Sequence, residues 1–196
     1  MEDRRIKKTK KILKATLIEM MKEIPFEQIS ITSLCDRADI SRITFYSHYN
    51  DKYALVEDIF QDMIQQGTQL YRQHQTRNNP NRDFVQNYRN VLYAIVELYY
   101  TEYDFFSQTI PGKSPYLAFS FYNHVLKTVE SYTTKEGQKQ KLKLKYSAKK
   151  TAGFLCYGMV GFINESHAVT NSVGEIMEEA SSLLTDLLTS DVLLER

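Results

Sequence analysis

Tryptophan is absent from this 196-residue chain, and cysteine, proline and glycine are scarce, at two, four and seven residues. Cys35 and Cys156 have no Cys-x-x-Cys partner or histidine at ligand spacing. That excludes a disulfide scaffold or zinc module and leaves both as small buried hydrophobes. So little proline and glycine excludes collagen and repeat-rich linkers. No run approaches the roughly 18 apolar residues of a membrane span. No signal-peptide segment follows the cationic start MEDRRIKKTKK, so no membrane partner and a cytoplasmic location are expected. Neither sign of charge is in excess, with 25 Lys+Arg against 24 Asp+Glu for a net +1. Taken as an average, that speaks against a surface coated in positive potential. His48, His74, His124 and His167 lie far apart, and no HExxH or phosphate-loop spacing occurs. No enzyme activity, metal or cofactor is therefore expected.

What is present is a chain 42% hydrophobic and 12% aromatic, with apolar residues spaced for helices almost throughout. Ile6, Leu13, Leu17, Met20, Met21 and Ile24 share one face of a helix ended by Pro25. Ser30 caps a short second helix carrying Ile31, Leu34, Cys35 and Ala38, and Ser41 caps a third. Asn50 or Asp51 opens a longer helix to about His74. The polar segment 75–81 reads as a linker. Further helices are expected at about 82–101, from Pro115 behind Ser114 to about 132, and at about 144–166. The capping box Ser172 to Glu175 opens a last one. With no alternating strand, the fold class is all-α. A helix-turn-helix head over residues 1–50 precedes a larger helical body over residues 51–196.

The head meets the demands of a helix-turn-helix unit. Leu34 and small Ala38 give the first helix a core face, Asp39 tolerates the left-handed turn, and the second helix is short enough to enter a major groove about 12 Å wide. Phe45 and Tyr49 face inward, leaving Arg42, Thr44, Tyr46, Ser47 and His48 outward. Residues 4–60, above all ITSLCDRADISRITFYSHYNDKYALV, resemble the DNA-binding domain of the TetR family of bacterial transcriptional regulators. The marks are Phe26, Ile29, Ala38, Ser41, Thr44-Phe45-Tyr46, His48-Tyr49, Lys52 and Leu55. The body resembles the Gram-positive members that include dihydroxyacetone-kinase regulators.

The resemblance implies a regulator that binds double-stranded DNA at a palindromic operator as a homodimer, most simply a repressor released by a small-molecule effector. It implies that Arg42 and Ile43 approach base edges, with Ser41 and Thr44 beside them. Thr32 and Ser33 would approach a phosphate or base, Tyr46, Ser47 and His48 phosphates, and Lys52 another phosphate. Family members commonly carry glycine where this chain has Asp39 and Ile43, so a bulky apolar group is brought toward the groove. The alternative is a TetR-like co-activator or protein-interaction module that acts through a partner instead of binding specific DNA itself.

Split along the chain, the net charge dissolves into a polarised distribution: residues 1–14 sum to +5, residues 135–150 to +6 and residues 165–196 to −6. The first of these reads as a basic arm beside the head, suited to sequence-independent phosphate attraction. In the body, Gly153, Gly158 and Gly161 recur along one helix, and interior glycines cost about 0.5–1 kcal/mol each, which asks for close packing. That helix and the last suit a dimer interface built on Ala152, Leu155, Gly158, Met159, Phe162, Leu183 and Leu187. The aromatic stretch between linker and dimer helices suits an effector cavity lined by Tyr88, Tyr99, Tyr103, Phe106, Phe119, Tyr122 and Asn123, with Glu97 and His124 as further polar contacts.

Overall fold

The computed structural model describes residues 4–110, 112–140, 144–169 and 172–193. They form the helices α1 (Arg4–Glu23), α2 (Ile31–Ala38), α3 (Arg42–Tyr46), α4 (Lys52–Asn78), α5 (Phe84–Thr101), α6 (Tyr103–Phe106), α7 (Pro115–Gln140), α8 (Ala148–Val169) and α9 (Val173–Thr189). Among the described residues there is no β-strand, so the architecture is all-α.

The caps expected from the sequence are in place. Ser30 Oγ accepts from Ser33 N at 3.0 Å, Ser41 Oγ from Thr44 N at 3.1 Å and Asp51 Oδ1 from Ala54 N at 2.8 Å. Ser114 Oγ accepts from Leu117 N at 3.3 Å, and Ser172 Oγ from Glu175 N at 3.3 Å. Each satisfies one amide that the first helical turn leaves without an intrahelical partner.

Two compact units result. The first comprises Met1–Gln65 and Thr101–Phe121. Its core is Leu13, Leu17 and Met20 of α1, Leu34 and Cys35 of α2, Phe45 of α3, and Leu55, Ile59 and Phe60 of α4, all buried. Phe106 packs its ring 5.5 Å from Phe105 and 4.7 Å from Phe121 in the same unit. Burial of each such side chain contributes about 1.5–3 kcal/mol. A part-buried polar link adds direction: Asp58 of α4 accepts from the Tyr49 hydroxyl at 2.6 Å and pairs with Lys14 of α1 at 3.1 Å. Burial opposes ionisation of Asp58, but Tyr49 and Lys14 outweigh it and hold the carboxyl below its ordinary pKa.

The second unit comprises Gln66–Tyr100 and Tyr122–Arg196. Its core joins Phe84, Tyr88, Leu92 and Val96 of α5 to Ala152, Leu155, Cys156 and Met159 of α8 and to Ala180, Leu184 and Leu188 of α9. Burial pushes the Cys156 thiol up to about 12, so it is inert as a nucleophile.

The linker expected at 75–81 is largely helix, because α4 continues to Asn78. Its amides, which read as loop-forming in sequence, form a network instead. Buried Asn87 Oδ1 accepts from Gln75 Nε2 at 2.5 Å and from Asn79 Nδ2 at 3.0 Å, while Asn90 Nδ2 donates to Asn78 Oδ1 at 2.8 Å. The connection shrinks to a turn in which Arg82 takes a left-handed φ of 56° and Asp83 caps α5 through Gln86 N at 2.8 Å. Helix α7 likewise runs past its expected end near 132, to Gln140.

Candidate nucleic-acid interface

Asp39 sets the angle between α2 and α3. Its φ and ψ of 53° and 45° are left-handed, and the next amide, Ile40 N, returns to Cys35 O at 3.0 Å. A short polar side chain tolerates this conformation better than most non-glycine residues. The turn presents the first residues of α3 outward, while Phe45, fully buried, anchors the helix underneath.

Arg42 and Ile43 stand at that exposed end. Ile43 is 85% exposed, and Arg42, also exposed, has no acidic partner among the described residues. An apolar side chain and a cation set out in water by this turn gain nothing from the described part of the chain. Thr32 is exposed on α2, and His48 is half-buried after α3. The Tyr46 ring is half-exposed and packs edge-on against Phe45 at 5.5 Å.

The remaining hydroxyls are committed locally. Ser33 Oγ accepts from Ser30 N at 3.2 Å as the reciprocal half of the α2 capping box, and donates to Ser30 O at 2.9 Å. Ser41 and Thr44 bond each other at 2.9 Å, and Ser47 donates to Thr44 O at 2.7 Å. These groups hold the shape of the unit, and beyond lone pairs and amides they keep one hydroxyl proton, that of the Ser41–Thr44 pair, for a ligand.

Lys52 departs furthest from its expected place at a phosphate. Its ammonium turns inward and donates to the carbonyls of Phe26, Glu27 and Ile29, each at 2.8 Å, filling all three donors. It also lies 4.8 Å from the centre of the Phe26 ring. Burial lowers its pKa, with Glu27 opposing the shift. The residue ties the start of α4 to the 3₁₀ turn before α2, a structural task.

The cationic segment 1–14 is not a free arm over its described part: α1 is helical from Arg4 onward. Lys14 pairs with Asp58 and with Asp62 at 2.5 Å, and Lys10 lies 3.7 Å from Asp58. Exposed Arg4, Lys7, Lys8 and Lys11 remain for solvent or phosphate. Of the second basic run, residues 141–143 and the side chains of 135–140 lie outside the description. Lys145 donates to the carbonyls of Asp191 and Leu193, the latter through its amide.

In the body the expected dimer residues separate into two groups. Ala152, Leu155 and Met159 are buried within the core of their own unit, so they present no face to a second chain. The opposite face of α8 carries Phe154, 53% exposed, Tyr157, 60% exposed, and exposed Gly158 and Gly161. At about 100° per residue these four fall on one stripe. A Cβ added at Gly158 or Gly161 would meet nothing within 4 Å. Phe162, Leu183 and Leu187 are half-buried at the edge of the core.

The expected cavity residues are similarly dispersed. Phe106 and Tyr88 are core residues of the first and second units, and Tyr103 and Phe119, in the first unit, stand out into solvent, Phe119 at 63% exposure. In the second unit the Tyr122 and Tyr157 rings lie 3.9 Å apart with their planes inclined at 31°, Tyr99 meets Tyr100 edge-on at 5.4 Å, and Asn123 and His124 are half-buried. Glu97 Oε2 lies 2.9 Å from His74 Nε2. Sequence reasoning missed Arg89 altogether. Its Nε donates to Ser181 Oγ at 2.8 Å and its Nη2 to Tyr93 Oη at 3.1 Å. A lone arginine within an aromatic helix carries no sequence signal for such a role.

No group of three or more His, Cys, Asp or Glu side chains among the described residues is placed to hold a metal ion. Among them too, no helix is long and apolar enough to cross a membrane.

These features define an all-helical protein with an N-terminal helix-turn-helix unit and a second helical unit. No known family model matches the sequence. An uncharacterised HTH-type transcriptional regulator of Bacillus subtilis, YxbF, is 29% identical over 51 residues, which is 26% of this chain and 13% of that protein. Solved structures match over nearly the whole length. A candidate TetR-family regulator of Syntrophomonas wolfei has a TM-score of 0.72 at 14% identity, over 94% of this chain and 97% of that one. A TetR-family regulator of Pectobacterium atrosepticum gives 0.53 at 17% identity, covering 100% and 99%. The TetR-family repressor FadR of Thermus thermophilus, in complex with lauroyl-CoA, gives 0.59 at 15% identity, covering 95% and 96%. The chain has the fold of the TetR-family transcriptional regulators.

Proposed function

We propose that this protein is a TetR-family DNA-binding regulator that reads a palindromic operator as a homodimer, represses, and is released by a small-molecule effector. The observation that carries the reading is the start of α3, where strongly exposed Ile43 projects beside Arg42, an exposed cation with no acidic partner among the described residues. An arginine there suits bidentate bonding to guanine and an isoleucine suits a thymine methyl. Thr32, Tyr46 and His48 flank them as phosphate contacts, and the exposed cations of α1 add sequence-independent attraction. Ser33, Ser41, Thr44 and Ser47 serve as shape-keeping neighbours, and Lys52 belongs to the frame.

The functional division falls after residue 50, between a DNA-reading head and an effector-reading, dimerising body. Dimerisation runs through the exposed stripe of α8, whose glycines are left without close packing inside the chain, together with the outer edge of α9. One head reads one half-site, so a two-fold dimer matches a palindrome. Helix α4 carries the chain without interruption from Lys52 to Asn78. An effector that prefers one arrangement of the body changes operator affinity by its differential affinity for the two arrangements. Gel-shift against DNA from upstream of the chain's own gene, at several salt concentrations, tests the reading. A selective, salt-sensitive complex supports it. Absence of one contradicts it and favours the co-activator alternative.

A further inference from the structure

Arg89 of α5 is held by two hydroxyls. Nε donates to Ser181 Oγ of α9 at 2.8 Å, Nη2 donates to Tyr93 Oη one turn along α5 at 3.1 Å, and the two oxygens lie 3.2 Å apart. All three residues belong to the second unit, and Ser181 is only 2% exposed.

The donors and acceptors of this group do not balance. Both hydroxyl oxygens already accept from the guanidinium. One hydroxyl proton suffices for the contact between them, so the other is left over. Nη1, with two N–H groups, has no partner among the described residues, and neither does the second N–H of Nη2. No described carboxylate lies within ion-pair distance of Arg89. The nearby acid on α5, Glu97, faces His74 at 2.9 Å. A part-buried cation whose three spare donor protons meet no acceptor among the described residues, on nitrogens that solvent reaches, can receive a ligand group that only accepts. The Tyr93 ring, 6.0 Å from the guanidinium carbon and 5.9 Å from the His74 ring, supplies flat apolar surface beside it.

We propose that Arg89, Tyr93 and Ser181 form the anion-recognising end of the effector site, and that the effector carries a carboxylate or comparable oxyanion. The forked guanidinium receives the two oxygens side by side, and the spare hydroxyl proton adds a third bond. This deepens the effector reading of the body and rests on it.

Benzoate, with benzyl alcohol as its uncharged counterpart, is the probe, and thermal unfolding of the full chain at constant ionic strength is the readout. Benzoate is expected to raise the unfolding midpoint saturably and benzyl alcohol not to, and Arg89→Gln abolishes the difference. Because Arg89→Gln removes a part-buried frame for two hydroxyls, Arg89→Lys is measured beside it. Lysine keeps the charge and loses the fork, so benzoate binding weakens about tenfold while its preference over benzyl alcohol survives. Equal stabilisation of wild type and both variants, or a benzoate effect no larger than that of chloride, overturns the proposal. The regulator reading is tested apart, by gel-shift without ligand. Benzoate bound through Arg89 with operator affinity unchanged upholds the anion site and contradicts its regulatory use.

Discussion

The ammonium of Lys52 donates to the carbonyl of Ile29 at 2.8 Å, within a set of three such bonds that closes the 3₁₀ turn at Phe26–Gln28 onto the start of α4. The geometry makes Lys52 a part of the frame that aims α3, although its position near the head suggests a phosphate contact. Lys52→Ala leaves those carbonyls without their donor, and hydrogen bonds from a charged group are worth about 1.5–3 kcal/mol. The variant is expected to lose a comparable unfolding free energy, read as a lower urea midpoint at unchanged slope. Unchanged stability with weakened DNA binding would place the ammonium on DNA instead.

Asp39 in the left-handed region gives a prediction of opposite sign. Replacement by glycine removes the steric cost of a side chain at φ 53° and is expected to stabilise the chain by up to about 1 kcal/mol. Asp39→Ala, which keeps the Cβ and loses the polar side chain, is expected to destabilise. Chemical denaturation of the pair checks both signs.

Tyr49 and Lys14 together hold the Asp58 carboxyl below its ordinary pKa. A group whose pKa is depressed on folding contributes stability above its unfolded value, near 4, and loses it as pH falls through the folded value. The urea midpoint is therefore expected to drop between about pH 5 and pH 2. Asp58→Asn should flatten that part of the profile. An identical profile in the variant would show that other carboxylates dominate.

The stripe formed by Phe154, Tyr157, Gly158 and Gly161 predicts self-association through the outer face of α8. Tyr157→Glu places a charge on an exposed position, and Gly158→Leu adds bulk where the chain itself has open space. Both are expected to leave helicity by circular dichroism unchanged and to shift the protein to monomer by light scattering. A wild-type dimer in both variants would move the interface elsewhere.

Much of the head was legible because its rules are local. Ser30 and Ser41 announce helix starts by side-chain type and position, and Asp39 sits where a left-handed turn must fall. The Lys52 contacts were hidden because their acceptors are backbone carbonyls at least 23 residues earlier in sequence. The amides of Gln75, Asn78 and Asn79 read as a linker, because composition does not reveal that Asn87 and Asn90 satisfy them. On α8 both faces are apolar, so periodicity does not choose between Leu155 with Met159 and Phe154 with Tyr157. Packing against α5 and α9 makes that choice.

The central claim is that the start of α3 reads DNA bases, and Arg42→Ala in a gel-shift with specific and scrambled sites tests it most directly. Loss of a bidentate arginine contact costs about 1–3 kcal/mol of discrimination at one base position. The account predicts specific binding about 5- to 150-fold weaker per half-site, relaxed preference at one position in each, and little change in non-specific affinity. Unchanged affinity and selectivity in a folded Arg42→Ala protein would contradict it.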